Sequence, residues 1–336
     1  MGNKTENKID FVITYVDGND PVWRQKKNEA LGIITGDDRD IRYRSWDNLQ
    51  YWFRCVERFA PWVNKVYLVT DNQVPDWVDQ SCEKLVCVNH TDFIPKQYLP
   101  TFSSHTIEHN LFRIKGLSEQ YVYFNDDLFI LQPLKAEQFF KNGLPRDYAL
   151  ESPRSTWDPL FAHVVANNTI MLNERYNRKV VLKKYRRKIY SPVDRRRFFQ
   201  NLMFRPLRRT RFFGFDNSHM PNPLLKSTCK AVWETNYNWL DSTCSRKVRS
   251  DNDVNQYVYV DYQYVNGRFI PINWDKKRRL FRLTDGRVKL VARTIKKQRY
   301  AMICINDVEE LNFDTAKVII NDAFETLLPD KSMFEK

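Results

Sequence analysis

Strand-like and helix-like segments alternate along the first 131 residues, and this alternation constrains the fold more than any other feature of the sequence. Residues 9–18 form a β-branched and aromatic run closed by Asp-Gly, which predicts a buried strand ending in a loop. Further strands are predicted at 65–72, at 84–89 and at 121–131, the last broken by Asn125-Asp126-Asp127. Helices are predicted at 45–62, with Ser45 as N-cap, and at 103–120. This order predicts an α/β fold, with a mostly parallel sheet and helices on both faces.

The rest of the chain continues the same kinds of signal. Helices are predicted at 221–240, after Ser250 and at 314–329, and a late strand at 299–306. Because neither a repeat nor a low-complexity linker marks a boundary, we expect one domain spanning residues 9–334.

Glycine is scarce, which excludes two common phosphate-binding devices. The chain has 9 glycines in 336 residues, and they form neither G-x-G-x-x-G nor G-x-x-x-x-G-K. Both devices use glycine to let backbone N–H groups approach phosphate. A phosphorylated ligand would therefore need a metal ion held by carboxylates, together with Arg and Lys.

The formal net charge of +13 predicts an anionic partner. Basic residues concentrate at 178–211, where Asp194 is the only acid. This basic helical segment is either a solvated face or an insertion that docks on a polyanion or an acidic membrane leaflet. Its interleaved aromatic residues keep nucleic-acid binding open as well.

Cysteine usage favours a reducing compartment, hence the cytoplasm. The six cysteines include no C-x-x-C pair and no Cys/His set with zinc-site spacing, so we interpret them as reduced thiols. No apolar h-region opens the sequence, and no run of about 18 apolar residues occurs. We expect a soluble protein, or one attached peripherally to the inner face of the membrane.

Two acidic strand ends are the first candidates for chemistry. Asp126 and Asp127 follow Asn125 within an apolar sequence, and Asn306-Asp307 closes the late strand. Adjacent carboxylates at the carboxyl edge of a sheet can hold a hard divalent cation that neutralises a diphosphate. The alternative is an ordinary turn, for which Asn and Asp are common.

Three further residues have both a chemical and a plain structural interpretation. Glu108 lies mid-helix with His105 on its face, His219 lies in a loop before a predicted helix, and Arg249 precedes a predicted N-cap. They could act as acid, base and anion ligand. A solvated helical Glu, an exposed loop His and an unengaged Arg are the alternatives.

Several long blocks resemble the conserved regions of the stealth family. They are residues 9–21, 42–78, 100–127, the NSHMP run at 217–221, and ICIND at 303–307 with its terminal helix. Stealth proteins are the sugar-1-phosphate transferases of bacterial capsule and exopolysaccharide synthesis, related to the animal N-acetylglucosamine-1-phosphotransferase α/β subunit.

The resemblance implies a Rossmann-like sheet of the glycosyltransferase-A kind and a specific reaction. Hexose 1-phosphate, as an N-acetylhexosamine 1-phosphate, would pass from a UDP-sugar to a hydroxyl of a polysaccharide or glycolipid acceptor, releasing UMP. By motif the family's catalytic positions fall on Glu108, Asp127, His219 and Arg249. The donor would lie by Tyr15, Asp17, Gly18, Asn19 and Arg44. Mg²⁺ or Mn²⁺ would be held by Asp127 with Asn306 or Asp307.

Alternatives remain at the level of mechanism and of function. His219 would take the acceptor proton with help from Glu108, or attack phosphorus and form a phosphohistidine. A metal-dependent glycosyltransferase could use the same acidic strand ends but would release UDP. A nucleic-acid-binding protein would explain the charge without the acidic and His motifs, so nucleic acid is not the expected partner.

Overall fold

The computed structural model describes residues 8–31, 41, 43–152, 158–204, 206, 209–274 and 276–336. Within these residues the strands are β1 (Ile9–Thr14), β2 (Val66–Thr70), β3 (Leu85–Asn89), β4 (Gln120–Phe124), β5 (Leu128–Ile130), β6 (Phe140–Lys141), β7 (Leu144–Asp147), β8 (Asn222–Leu225), β9 (Ile270–Pro271), β10 (Arg278–Leu283) and β11 (Met302–Asp307). The helices are α1 (Pro21–Leu31), α2 (Leu49–Phe59), α3 (His90–Phe93), α4 (Ser104–Asn110), α5 (Pro159–Arg175), α6 (Arg178–Ile189), α7 (Arg195–Phe204), α8 (Lys226–Thr235), α9 (Tyr237–Cys244), α10 (Tyr257–Val265), α11 (Val288–Lys296) and α12 (Phe313–Leu327).

A five-stranded sheet with the order β3-β2-β1-β4-β8 forms the centre of the fold. The first four strands are parallel and β8 is antiparallel to β4. Successive residues of β1 enter opposite core clusters, Phe11 and Ile13 on one face and Val12 on the other. Burial on both faces is what a sheet covered by helices requires, so the predicted mostly parallel α/β fold is confirmed.

A second sheet continues from the first through Asn125–Asp127. It has the order β10-β11-β5, with β10 parallel and β5 antiparallel to β11. The predicted strand 121–131 is therefore two strands, β4 and β5, that lie in two sheets. The backbone N–H of Ile305 donates to the carbonyl of Asp127 at 2.9 Å, which ties the crossing segment to β11. A third sheet, β6-β7-β9, is small.

The helix predicted at 221–240 is wrong at its start. Asn222–Leu225 forms the edge strand β8, and the helix begins only at Lys226. Pro223 lacks an N–H donor, which an edge strand tolerates. The apolar residues were equally compatible with a buried strand, and pairing with β4 decided between the two.

Two other predicted boundaries are also wrong. The helix predicted at 103–120 ends at Asn110 and continues only as a 3-10 turn, and Gly116, at φ 83°, has left the helical region. Ser45 does not cap α2, which begins at Leu49. Its hydroxyl instead donates to Asp47 at 2.8 Å, forming a local turn bond.

The basic segment 178–211 is helical over α6 and α7 and is attached to the body of the fold. Arg178 is buried and donates from Nε to the buried carboxylate of Glu151 at 2.8 Å. Asn201 is also buried and donates to the carbonyls of Ala149 and Ile189. These bonds hold both helices in place, while most of their other basic side chains face solvent.

Candidate active site

A cleft of about 1280 Å³ opens at the carboxyl ends of β1, β4 and β11. Tyr15 follows β1, Asn125–Asp127 follow β4, and Asn306 with Asp307 ends β11. Ligands of open α/β sheets bind at this edge of the sheet. All four residues that the resemblance marks as catalytic line the cleft, namely Glu108, Asp127, His219 and Arg249.

His219 and Asp127 form an ion pair at the centre of the cleft. The Nε2 atom of His219 lies 3.1 Å from Oδ2 of Asp127, and Nδ1 lies 3.2 Å from the hydroxyl of Tyr257. The loop that carries His219 leads into β8, and β8 runs antiparallel to β4. The beginning of β8 therefore meets the end of β4, which brings His219 to Asp127.

The two partners shift each other's pKa in opposite directions. Burial is the largest influence on each group and favours its neutral form, but the charge of the partner, the hydrogen bond between the two groups and further neighbours together outweigh burial. The pKa of His219 is therefore raised and the pKa of Asp127 is lowered. Both shifts favour an imidazolium beside a carboxylate in the free protein.

The cleft also carries an excess of carboxylate charge. Asp126 reaches solvent within the cleft, but the surrounding protein and the charge of Asp127 raise its pKa to about 7. Burial likewise raises the pKa of Asp307, although Arg44 opposes that rise. These carboxylates repel one another, and a bound cation would relieve the repulsion.

One carboxylate oxygen of the cleft is available to a cation. The Oδ1 atom of Asp127 is buried and has no hydrogen-bond partner among the described residues, so it is free to act as a ligand. The ligand atoms of Asp127, His219 and Cys304 all lie within 4.8 Å of one another. Burial, however, raises the pKa of Cys304 well above its usual value, which disfavours the thiolate that a soft metal needs. Among the described residues, neither Asp126 nor Asp307 belongs to this group of close ligand atoms. A site for Mg²⁺ or Mn²⁺ on the carboxylates therefore stays a prediction.

Glu108 is a buried carboxyl group on α4. It accepts a hydrogen bond at 3.4 Å from the hydroxyl of Tyr123, which is itself 3.2 Å from Oγ1 of Thr14. Its other oxygen, Oε2, has no hydrogen-bond partner among the described residues. Burial raises the pKa of Glu108, although His105 and Arg249 oppose the rise.

Arg249 is held beside Glu108 by contacts between its loop and the start of α4. Its Nη2 atom donates to the hydroxyl of Ser104 at 2.7 Å, and the backbone N–H of Phe102 donates to the carbonyl of Lys247 at 2.8 Å. His105 also lines the cleft, and its Nδ1 atom lies 2.9 Å from the buried carboxylate of Asp253.

The residues expected near the donor separate into two groups. Tyr15 and Arg44 line the cleft, and Arg44 contacts Asp307 at 2.5 Å. Asp17, Gly18 and Asn19 form a neighbouring turn, which Arg24 joins by donating to the carbonyl of Gly18 and to Oδ1 of Asn19. The described lining of the cleft does not include that turn, so a role for its three residues in donor binding stays a prediction.

Sequence reasoning missed several residues of the cleft. Tyr257 lies in an apolar helix, where its hydroxyl gave no signal of a site, and Cys304 lies inside a buried strand. Arg197, Arg278 and Arg282 also line the cleft. Arg278, Leu280 and Arg282 lie at every second position. This spacing could have predicted a strand that carries two arginines on one face.

The fold and the cleft together define a class: an α/β transferase whose site combines clustered carboxylates, a His–Asp pair and arginines suited to phosphorylated substrates. Residues 42–147 match the model of Stealth protein CR2, conserved region 2.

Relatives match the chain over almost its whole length. It is 37% identical to the capsular polysaccharide phosphotransferase WcwK of Streptococcus pneumoniae, over 99% of each chain. It is 38% identical to the receptor polysaccharide phosphotransferase WefC of Streptococcus gordonii, over 98% of this chain and 99% of that protein. It is 34% identical to the exopolysaccharide phosphotransferase cps2G of Lactiplantibacillus plantarum, over 98% of this chain and 96% of that protein.

The chain therefore belongs to the stealth family and is a phosphotransferase enzyme, which confirms the resemblance seen in the sequence. Among the described residues, no helix combines the length and the apolar character needed to span a bilayer.

Proposed function

We propose that this enzyme transfers hexose 1-phosphate from a UDP-sugar, with N-acetylhexosamine as the sugar, to a hydroxyl of a capsular or exopolysaccharide acceptor. The new bond joins the acceptor oxygen to the sugar-bearing phosphorus. The bond that breaks is the anhydride bond between the sugar-bearing phosphorus and the phosphate attached to uridine, and that phosphate leaves as UMP. One observation carries this proposal: Glu108, Asp127, His219 and Arg249 meet in a single cleft. The names of the relatives support a polysaccharide as acceptor.

Charge on the diphosphate is handled at two places in the cleft. Asp126, Asp127 and Asp307, with Asn306 beside them, would hold Mg²⁺ or Mn²⁺. A divalent cation supplies neutralisation of the diphosphate and of the leaving phosphate. Arg249, oriented by Ser104, stabilises the oxygens of the transferred phosphoryl group.

His219 acts as the general base in this proposal. A general base must be neutral, so the imidazolium that the free protein favours first loses a proton. The neutral ring then donates from Nδ1 to the hydroxyl of Tyr257, which leaves Nε2 as the basic nitrogen. The acceptor hydroxyl replaces Asp127 and Asn125 as the partner of Nε2 and gives its proton to that atom. Glu108 stabilises the resulting imidazolium by its charge, as it does in the free protein.

The nucleotide product tests the proposed reaction. A panel of nucleotide sugars is incubated with enzyme, acceptor and Mg²⁺, and the nucleotide and the acceptor product are identified together. Release of UMP with a new phosphodiester supports the proposal, whereas release of UDP with a glycosidic bond would establish a glycosyltransferase instead.

Stereochemistry at phosphorus separates the two possible roles of His219. A donor made chiral at the transferred phosphorus gives inversion after direct attack and retention after a phosphohistidine intermediate. If His219→Ala kept full activity, both roles would be wrong.

We also propose that the basic segment 178–211 contacts an acidic membrane surface at the cytoplasmic face, where a glycolipid acceptor would lie. Beside its basic residues, α7 exposes Phe199 and Met203, which are 64% and 75% accessible and lie four residues apart on one helix face. Co-sedimentation should occur with vesicles containing phosphatidylglycerol and not with pure phosphatidylcholine. Phe199→Ser/Met203→Ser should weaken it, and equal binding to both vesicles would contradict the proposal.

A further inference from the structure

Strand β10 presents basic side chains to the cleft beside the reacting groups. In its parallel register with β11, Arg278 pairs with Met302, Leu280 with Cys304, and Arg282 with Asn306. Paired residues of parallel strands point to the same face of the sheet. Cys304 donates from Sγ to Asp127 at 3.1 Å, so the face that carries it is the catalytic face.

Arg278 is partly buried in the wall of the cleft, and it forms no ion pair with any residue that the structure describes. Its Nη2 atom has no hydrogen-bond partner among the residues that the structure describes, and its guanidinium lies 5.0 Å from the centre of the Trp274 ring. Burial, with a smaller contribution from the charge of Arg197, lowers the pKa of Arg278 to about 10, although Asp147 opposes the shift. Arg278 stays protonated at neutral pH, and Arg197 lies near enough for its charge to act on it.

Arg197 comes from α7 and lines the same cleft. Its ion pair with Asp194 is loose, at 3.7 Å, and its side chain keeps 25% of its accessible area. Two guanidinium groups close enough to repel each other in a partly desolvated wall are costly unless an anion lies between them. This part of the cleft is therefore suited to a phosphate or carboxylate group.

Arg278, Leu280 and Arg282 form a stripe along one face of β10. This stripe lies beside the reacting centre and extends away from it. Arg278 and Arg282 are four residues apart on an extended strand, about 13 Å along its axis. Arg282 is level with Asn306 at the carboxyl end of β11, and Arg278 is at the opposite end of the strand. Leu280, which is 44% accessible, lies between them as an apolar surface. An elongated ligand with spaced negative charges fits this stripe better than a single diphosphate does.

From this geometry we infer that Arg197, Arg278 and Arg282 form an extended anion subsite that binds phosphodiesters already present in the polysaccharide acceptor. The inference rests on the proposed function, because each transfer leaves a phosphodiester in the polymer. An acceptor that has passed through one cycle then presents that charge at a fixed distance from its next hydroxyl. The subsite would favour such acceptors over neutral ones.

Two acceptors and two variants test the subsite. The acceptors are oligosaccharides of the source strain's own polysaccharide, one retaining an internal phosphodiester and one of the same sugars without it. Arg278→Gln should raise the KM for the phosphodiester acceptor by roughly 10-fold to 100-fold, the range expected for a lost charged hydrogen bond. The KM for the neutral acceptor and for the donor should stay within about 2-fold. Arg293→Gln, an exposed position on α11 outside the cleft lining, is the matched control and should change none of these values.

Each other outcome contradicts the inference. An increase in donor KM with both acceptors would assign these arginines to the donor diphosphate. Equal effects on both acceptors, or no effect, would show that no acceptor anion binds there. Arg282→Gln, at an exposed position, repeats the test if Arg278→Gln fails to fold. Calorimetric binding of the phosphodiester oligosaccharide to His219→Ala protein tests the subsite even if no nucleotide sugar yields UMP, which separates its failure from failure of the proposed function.

Discussion

At the scale of single residues, the protein holds titratable side chains in surroundings that shift their pKa values. Glu108 is the clearest case, because a buried carboxyl group with one unpaired oxygen destabilises the fold when ionised. The sequence showed that Glu108 was a candidate through its motif. It did not show its burial, since helical spacing alone is equally compatible with a solvated position.

Glu108→Gln should increase stability at neutral pH and abolish most activity. Because the folded-state pKa of Glu108 is raised above its usual 4.5, the stability that its protonated form provides is lost as the pH rises through the folded-state pKa. The free energy of unfolding of Glu108→Gln, minus that of the wild type, should therefore grow between pH 4.5 and pH 8. Urea denaturation at both pH values measures it. We expect kcat to fall by roughly 100-fold or more. A difference independent of pH would contradict the assigned environment.

Gly18 is constrained by a close approach of two chain segments, and this predicts a second substitution effect. A Cβ atom at Gly18 would lie 2.3 Å from the carbonyl oxygen of Tyr43, whose neighbour Arg44 pairs with Asp307 in the cleft. Gly18→Ala should cost about 1 to 3 kcal/mol of unfolding free energy and lower activity by displacing Arg44. Gly286→Ala, where no atom lies within 4 Å, is the control and should stay within about 0.5 kcal/mol. Equal stability of the two variants in urea titrations would refute this reasoning.

At the scale of secondary-structure elements, the pairing of strands decides which residues meet. The sequence predicted β1, β2 and β3 well, because their continuous apolar runs require burial on both faces. It did not predict that β4 and β5 separate into two sheets, nor that residues 222–225 form β8. Both outcomes depend on partners more than 90 residues away, which local periodicity cannot report.

The attachment of the basic helices gives a prediction at this scale. Glu151→Ala would remove the carboxylate that neutralises the buried charge of Arg178 and should cost about 3 to 5 kcal/mol of unfolding free energy. The double variant Glu151→Leu/Arg178→Met should recover much of that loss, because it removes both charges. Glu234→Ala breaks the exposed pair with Lys230 and should change stability by less than about 0.5 kcal/mol. A loss below 1 kcal/mol for Glu151→Ala, measured by urea denaturation, would show that the pair does not secure the segment.

At the scale of the whole molecule, the two sheets meet at one edge and concentrate carboxylates there. Repulsion between these carboxylates destabilises the fold, so a cation that binds them should raise the free energy of unfolding. MgCl2 at about 100 times its dissociation constant should add roughly 2.7 kcal/mol to the free energy of unfolding, seen as an increase in Tm. Asp126→Asn/Asp127→Asn should lose this increase, whereas Asp322→Asn, an exposed acid on α12, should keep it. The same increase in all three proteins would place cation binding elsewhere.

The sequence alone determined the α/β class, because its first 131 residues alternate between apolar strand-like runs and amphipathic helix-like runs. A parallel sheet covered by helices buries the apolar side chains of both. Its motifs also identified Glu108, Asp127, His219 and Arg249 as residues to examine together. Only the tertiary structure decided that they share one cleft, that Tyr257 supports His219, and that the arginines of β10 extend the site. The physical reason is that burial, charge pairing and strand register arise between segments far apart in the chain, whereas a sequence pattern reports only the local preferences of each segment.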